Sequence, residues 1–226
     1  KSLSFLIPKI VNAARSLWPV ECVWQNRRPE HNDDRVSPSA GQCLYGDGTS
    51  RDVVVLEHGL RFIVRPEMGL DAGLYPDMRD VRRWLTPHWR GKRVLNTFAY
   101  TGAFSVAAAA NGAARVDTVD LAGTAIERCY ANFGINDLST DGHGFWVEDT
   151  FLALDKFRRA GTEFDLIVVD PPSFARGPNG VWSVERDLSR VVSACLRVLS
   201  EGGWILVATN QGSMSPREFQ KQIHTA

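Results

Sequence analysis

Residues 93–120 read RVLNTFAYTGAFSVAAAANGAARVDTVD, and the order of features along them decides the fold. The apolar run Val94-Leu95-Asn96-Thr97-Phe98 predicts a short strand, and Tyr100-Thr101-Gly102 predicts a turn. Ala103 to Ala110 is rich in the strongest helix former and predicts a helix. Asn111-Gly112 ends it, because both residues tolerate the left-handed cap. A second apolar run, Val116 to Val119, closes on Asp120. Strand, glycine turn, helix, strand and acid make a βαβ unit. Such a unit sets a helix N-terminus at the carboxyl edge of a parallel sheet, with a carboxylate at the tip of the next strand.

Nicotinamide cofactors and S-adenosylmethionine both use that arrangement, and some βαβ units bind nothing. A pyrophosphate must approach the backbone closely, which calls for G-x-G-x-x-G. Here Gly102 is the one glycine of the turn. S-adenosylmethionine has no phosphate and does not need three glycines.

Working outward, residues 93–226 alternate strand and helix, which implies a doubly wound, mostly parallel α/β sheet. Helices are expected over 123–133, 151–160 and 184–200, and from Ser215-Pro216, a cap followed by Pro at the first helical position. Strands are expected over 144–149 and 203–209, and FDLIVVD at 164–170 is the strongest buried-strand signal in the chain. Upstream, Leu6, Ile10, Ala13, Ala14 and Leu17 share one face of a helix over 4–17, and Val20 to Trp24 suggests a strand. Residues 25–51 are polar and read as a loop or linker, with Arg27, Arg28 and Arg35 able to meet phosphate. DVVVLEHGLRFIVR at 52–65 reads as a hairpin turning at His58-Gly59. Gly69, Gly73 and Pro76 make the next stretch irregular, as in a lid beside a ligand. Asp77 to Leu85 then reads as a helix with Asp80, Arg82 and Arg83 exposed.

The 226 residues suffice for one large domain or a domain with an appendage. Net charge is zero, so there is no global basic signature for nucleic acid. The charge is uneven: residues 1–95 hold 15 Lys and Arg against 11 Asp and Glu, a balance of +4, and the remainder is −4. Cys22, Cys43, Cys129 and Cys195 are widely spaced with no C-x-x-C. That speaks against a disulfide framework or a zinc site, His31 notwithstanding, and fits a reducing, cytoplasmic compartment. No run is long enough for a membrane span.

Asp170-Pro171-Pro172-Ser173-Phe174 follows the buried strand directly. Pro cannot donate to a ladder, so the strand ends there, and the double Pro stiffens the loop. A rigid, carbonyl-rich loop with an aromatic neighbour at the sheet's carboxyl edge suits a planar base held for methyl transfer. A plain strand terminator with a packed Phe is the alternative.

With these stretches together, the chain resembles the class I S-adenosylmethionine-dependent methyltransferases, and within them the large-subunit ribosomal RNA methyltransferases. The likeness rests on NTFAYTG at 96–102, DPPSF at 170–174 and LDAGLYPDMRDVRR at 70–83, and covers about residues 52–222. It implies S-adenosylmethionine as cofactor, RNA as partner and no metal. It implies that Phe98, Tyr100, Thr101 and Gly102 form the cofactor turn, with Asp120 on the ribose and Leu121 beside the adenine. Asp149 and Thr150 would lie near the adenine amine. Asp170, Pro171 and Pro172 would form the methyl-transfer edge. Tyr75, Asp77 and Arg79 would cover the amino-acid end, although Pro76 departs from the apolar residue usual there. It also implies a division into a helix and linker over 1–51, a hairpin and covering segment over 52–90, and the cofactor domain over 91–226. By the same resemblance, a final strand pair would be expected after the last helix, where none is read before Ala226, and an amino-terminal RNA-binding domain would be expected where the short helix is read.

The branch follows from chemistry. Methylation at C5 of a pyrimidine needs a nucleophile, normally a thiolate. In the family's C5 branch that Cys follows the fifth strand, where this chain has Ala208-Thr209-Asn210-Gln211-Gly212. Cys129 and Cys195 fall on expected helices and read as core. A ring nitrogen such as guanine N7 needs only alignment. A nitrogen of a purine in RNA is therefore the expected acceptor, with Phe174 and Asn210 on the substrate side. A dehydrogenase, a methyltransferase of small molecules or proteins, and a C5 enzyme are the rival readings.

Overall fold

A computed structural model of the protein describes residues 4–26, 41–49, 51–177 and 180–226. The chain packs as two compact units, Lys1–Val55 with Ile63–Leu74, and Leu56–Phe62 with Tyr75–Ala226. The packing thus groups residues differently from a division at 51/52 and 90/91. The tip of the first hairpin and the helix after it belong with the large unit.

In the first unit, helix α1 (Ile7–Leu17) lies near two short antiparallel strands, β1 (Val23–Gln25) and β2 (Gln42–Tyr45). Strand β2 corrects the expectation of a continuous loop over 25–51. Its four residues are too short to show a period against the Gly, Asp and Ser around them. Arg27, Arg28, His31 and Arg35 lie outside the described residues. The buried face of α1 is also shifted by one position: Val11 is buried, whereas Ile10 and Leu17 are exposed. Arg15 stacks its guanidinium 4.0 Å from the Tyr45 ring centroid. Strands β3 (Val53–Glu57) and β4 (Leu60–Val64) form the expected hairpin, with His58 and Gly59 both at positive φ in the turn.

The large unit is built on a five-stranded sheet of β5 (Arg93–Thr97), β6 (Arg115–Asp120), β7 (Gly144–Val147), β8 (Phe164–Val169) and, past a further hairpin, β11 (Leu199–Val207). Their order is β11-β8-β5-β6-β7, and every pair is parallel. The expected doubly wound α/β sheet is what forms. The reason is the apolar content of both faces. Leu95, Val119, Ile167 and Val169 pack on one side with residues of α5 (Thr150–Arg159) and α6 (Val184–Leu196). Val94, Val116, Leu166 and Val168 pack on the other with Leu85, Trp89 and the Phe104 ring of α3 (Ala103–Ala110). Helix α4 (Gly123–Gly134) follows β6, and α7 (Pro216–His224) opens with a complete capping box between Ser215 and Glu218. The chain between 184 and 203 is read differently by the fold: α6 ends at Leu196 and β11 already begins at Leu199. Strand β7 stops at Val147, so Glu148 and Asp149 lie beyond it.

The helix expected over Asp77 to Leu85 forms with a different buried face, and one hairpin escaped sequence reading. Helix α2 (Arg79–Trp84), after a 3-10 turn at Pro76–Met78, buries Arg82 instead of exposing it. Strands β9 (Phe174–Gly177) and β10 (Gly180–Ser183) make an antiparallel hairpin between β8 and α6. Gly177-Pro178-Asn179-Gly180 has the composition of a turn and was the available signal. Among the described residues no helix is long and apolar enough to cross a membrane, and no group of three or more His, Cys, Asp or Glu could hold a metal ion.

Candidate active site

The carboxyl ends of β5, β6 and β8 carry the Phe98–Gly102 turn, Asp120 and the Asp170–Phe174 loop. After Thr97 the backbone takes three left-handed steps, at Phe98 (φ 51°), Tyr100 (φ 50°) and Gly102 (φ 76°). Positive φ is uncommon for bulky residues and clusters at functional sites. Three bonds hold this conformation. Ala99 N–H donates to the Val119 carbonyl at 3.0 Å, Tyr100 N–H to Asp120 Oδ2 at 2.8 Å, and Asn132 Nδ2 to the Thr101 carbonyl at 3.0 Å. Gly102 is required twice over. Its φ is left-handed, and a Cβ there would lie 2.1 Å from Cys129 Sγ. No side chain caps the first turn of α3, whose N–H groups are left for other acceptors.

Asp120, at the tip of β6, also accepts from Ala122 N–H through Oδ1 at 2.9 Å. Burial holds its carboxyl above the ordinary carboxylate value, against the backbone donors that favour its ionised form. Leu121 beside it is half-exposed and faces Gly177 of β9, where a Cβ would come within 2.8 Å of Leu121 Cδ2. Asp149 caps α5: its Oδ1 accepts from Phe151 and Leu152 N–H at 2.9 and 3.2 Å. One of its oxygens is therefore committed to the helix, and Thr150 is buried as the first helical residue.

At the tip of β8, burial and the neighbouring Asp77 push the Asp170 carboxyl up to about 6, with Arg82 acting in the opposite direction. Pro171 is buried and Pro172 exposed. The loop is pinned from three sides. Trp182 Nε1 donates to the Pro172 carbonyl at 2.7 Å, Val184 N–H to the Ser173 carbonyl at 3.1 Å, and Ser173 Oγ to Asn210 Oδ1 at 2.5 Å. The last bond joins the Asp170–Phe174 loop to the stretch after β11. Gln211, in contrast, is turned to Glu185 and Ser213. Phe174 is half-exposed.

Tyr75 lies over the turn, its ring 5.3 Å from that of Tyr100. Its position depends on a buried ion pair that the sequence did not reveal. Arg82 donates to both Glu57 oxygens at 2.6 and 2.8 Å, and its Nη2 also donates to the Tyr75 carbonyl at 2.9 Å. A lone acid closing the apolar run Val53-Val54-Val55-Leu56 was the only hint. Arg79 is not gathered with this group in the same way: it is exposed and 3.7 Å from Asp80.

Against this geometry, a protein-family model described as S-adenosylmethionine-dependent methyltransferase matches residues 19–224. The chain belongs to that family. It is 31% identical to ribosomal RNA large subunit methyltransferase I of Aeromonas salmonicida, over 96% of this chain and 55% of that protein. It is 36% identical to ribosomal RNA large subunit methyltransferase K of Neisseria meningitidis serogroup B, over 70% of this chain and 46% of the relative. Among solved structures, SMU.776 in complex with SAH superimposes with a TM-score of 0.87 at 35% identity, covering all of this chain and 57% of that one. The chain spans about half the length of these relatives.

Within a methyltransferase fold the two helix cysteines, Cys129 and Cys195, read as structural. Cys129 and Cys195 are fully buried, and burial pushes both thiols up to about 12. A thiolate nucleophile needs the opposite environment. Replacing each of the four cysteines by Ser is expected to leave methyl transfer within about tenfold of the parent, with stability losses near 1 kcal/mol at the two core positions. A stable variant devoid of activity would mark its cysteine as the nucleophile.

Proposed function

We propose that this chain methylates a base nitrogen, guanine-like, in ribosomal or other RNA, with S-adenosylmethionine as donor. The observation that carries the proposal is the acceptor edge. The rigid loop from Asp170 to Phe174 leaves strand β8, the neighbour of β5, beside the Phe98–Gly102 turn, and the stretch tied to it, Ala208–Gly212, holds no thiol.

The residues present fit the cofactor. Asp120 would take the ribose hydroxyls, since each oxygen already holds one backbone donor and has room for another. Leu121 would support the adenine, and the Asp149 oxygen not used by the α5 cap would face its amine, next to Thr150. The uncapped N-terminus of α3 suits a carboxylate, with Tyr75 and Tyr100 closing that end and Arg79 at its rim. When bound, S-adenosylmethionine supplies an electrophilic methyl group on a sulfonium. A ring nitrogen carries its own lone pair, so the protein's task is alignment and exclusion of water. Pro171 and Pro172 hold the loop against drift. Asp170 accepts from an N–H of the base and fixes the ring in plane. Asn210 spends its carbonyl oxygen on Ser173 and keeps its amide donor for the base edge. Phe174 stacks on the base, which must come from unpaired RNA or be flipped out of a duplex.

Incubation with S-adenosylmethionine and RNA, followed by nucleoside mass spectrometry, tests the reading. An N-methylated purine is expected. A C5-methylpyrimidine, or label in protein or small molecules alone, would overturn it.

The Asp170 carboxyl adds a pH signature. Its folded value, about 6, lies above the ordinary carboxylate value. The neutral form is favoured by folding, so its contribution to stability is complete below about pH 4 and is lost as pH rises through about 6. Asp170→Asn cannot ionise. It is expected to be more stable than the parent at pH 7.5 by roughly 1–3 kcal/mol, and equal to it near pH 4. Methyl transfer by the parent should rise through pH 6, and the variant should lose both the rise and most of the rate. Thermal melts and rate profiles across that range measure both effects.

A further inference from the structure

We propose that the outward face of the β9–β10 hairpin is a platform for single-stranded RNA, which runs from the acceptor base at Phe174 to its flanking nucleotides along Arg176 and Val181. The inference rests on the RNA reading above and extends it from one base to the strand around it.

The two faces of the hairpin are assigned by register. Phe174 pairs with Ser183 and Arg176 with Val181, so these four share one face; Ala175 pairs with Trp182 and Gly177 with Gly180 on the other. The inner face is committed to the methyltransferase core. The Trp182 ring lies 4.9 Å from Phe98 and 6.2 Å from Phe151, and Gly177 is pressed on Leu121. The outer face is apolar yet open: Phe174 is 48% and Val181 43% exposed. The Arg176 guanidinium carbon lies 5.9 Å from the Phe174 ring centroid. A ring with a guanidinium beside it is the combination on which bases stack and phosphates are neutralised.

Arg186 and Arg190, in the first turns of α6, expose more than half of each side chain, and both pair with the one buried carboxylate of Asp187. Glu185 stands in the same turn, so these two cations face two acids, and the charge the platform offers a phosphate is that of Arg176. The hairpin also begins at the residue that ends the acceptor loop, so a strand of RNA delivering its base to Asp170 must pass over or beside this ribbon. An acidic peptide would satisfy the arginines, but would gain little from an exposed phenyl ring.

The test is binding of a short unstructured oligoribonucleotide by fluorescence anisotropy over a KCl series, with cofactor affinity measured in parallel. Phe174→Ala is expected to weaken RNA binding roughly tenfold or more with an unchanged salt slope, and Phe174→Trp to retain it. Arg176→Ala is expected to weaken binding and to lower the salt slope by about one. Val181→Glu, a change at an exposed position, should weaken RNA binding while melting like the parent. All four should bind S-adenosylmethionine as the parent does. If the parent binds and methylates RNA and these variants match it, the platform is refuted and the RNA reading stands. If the parent neither binds nor methylates any RNA, the RNA reading fails and the platform with it. If an acidic peptide displaces the RNA in the parent and binds Phe174→Ala equally well, the surface belongs to peptide.

Discussion

Glu57→Gln is expected to destabilise the protein by about 3–5 kcal/mol, the cost of leaving one member of a buried ion pair without its partner. Both side chains are more than nine-tenths buried, and the two carboxylate bonds are short and parallel. The variant keeps an amide oxygen but loses the charge that compensates the guanidinium. Water cannot replace it, because the Phe104 ring covers the Arg82 guanidinium at 5.2 Å. Such a loss is a large part of the total stability of an ordinary domain, and urea unfolding measures it. The paired change Glu57→Leu with Arg82→Met removes both charges and is expected to recover most of the loss, since buried ion pairs often do no better than apolar residues of similar volume. The recovered protein would still lack the donor on the Tyr75 carbonyl, so cofactor affinity should stay below the parent's. A loss under about 1 kcal/mol for Glu57→Gln would show that the pair is solvated and behaves like a surface ion pair.

Gly102→Ala is the second large effect expected. An alanine held in the left-handed region costs about 1–2 kcal/mol, and forcing its methyl into occupied space typically adds 1–3 kcal/mol. The obstacle is Cys129 Sγ, 2.1 Å from the new carbon, on a helix that is itself packed against β6. For a protein of this size the sum corresponds to a melting temperature lower by roughly 5–15 °C. Relief separates the two terms: adding Cys129→Ala should restore the steric part and leave the conformational part. Cofactor affinity should fall in both variants, because the left-handed step at Gly102 aims the first turn of α3. A melting point within a degree or two of the parent's would show that the turn can relax without cost.

The features legible in the sequence are those set by local composition or by uninterrupted burial. The runs Val94–Phe98, Val116–Val119 and 164–170 each place apolar residues on both faces, as a covered parallel sheet requires. Gly102, Asp120 and the Asp170–Phe174 loop stand at the ends of such runs, so their position at the carboxyl edge followed. What stayed hidden depends on contacts distant in the chain. Arg82 looks like any helix-surface arginine until Glu57, 25 residues earlier, is brought against it. The left-handed steps at Phe98 and Tyr100 leave no compositional trace, since neither is a Gly, Asn or Asp. They are imposed by bonds to Val119 and Asp120 in the next strand. Strands β2, β9 and β10 have four residues each, too few to show a period.

The order of strands in the sheet also has a consequence for synthesis. Strand β5 sits at the centre, with β6 on one side and β8 on the other. Its first neighbour is close behind in the chain, but the second is not: the Thr97 hydroxyl meets the Val168 carbonyl across a separation of 71 residues. While the chain is being made, β5, β6 and β7 can pair as soon as they emerge. One edge of β5, and the apolar faces of Val94 and Leu95, then wait uncovered for β8. An unpaired apolar edge is the kind of surface that recruits other chains. The same wait applies to the proposed site, because the loop that follows β8 carries its acceptor edge. On the function proposed above, a ribosome-bound or truncated chain ending before residue 170 would hold the turn and Asp120 but no acceptor edge, so cofactor capture would precede methyl transfer in the order in which the polypeptide is born.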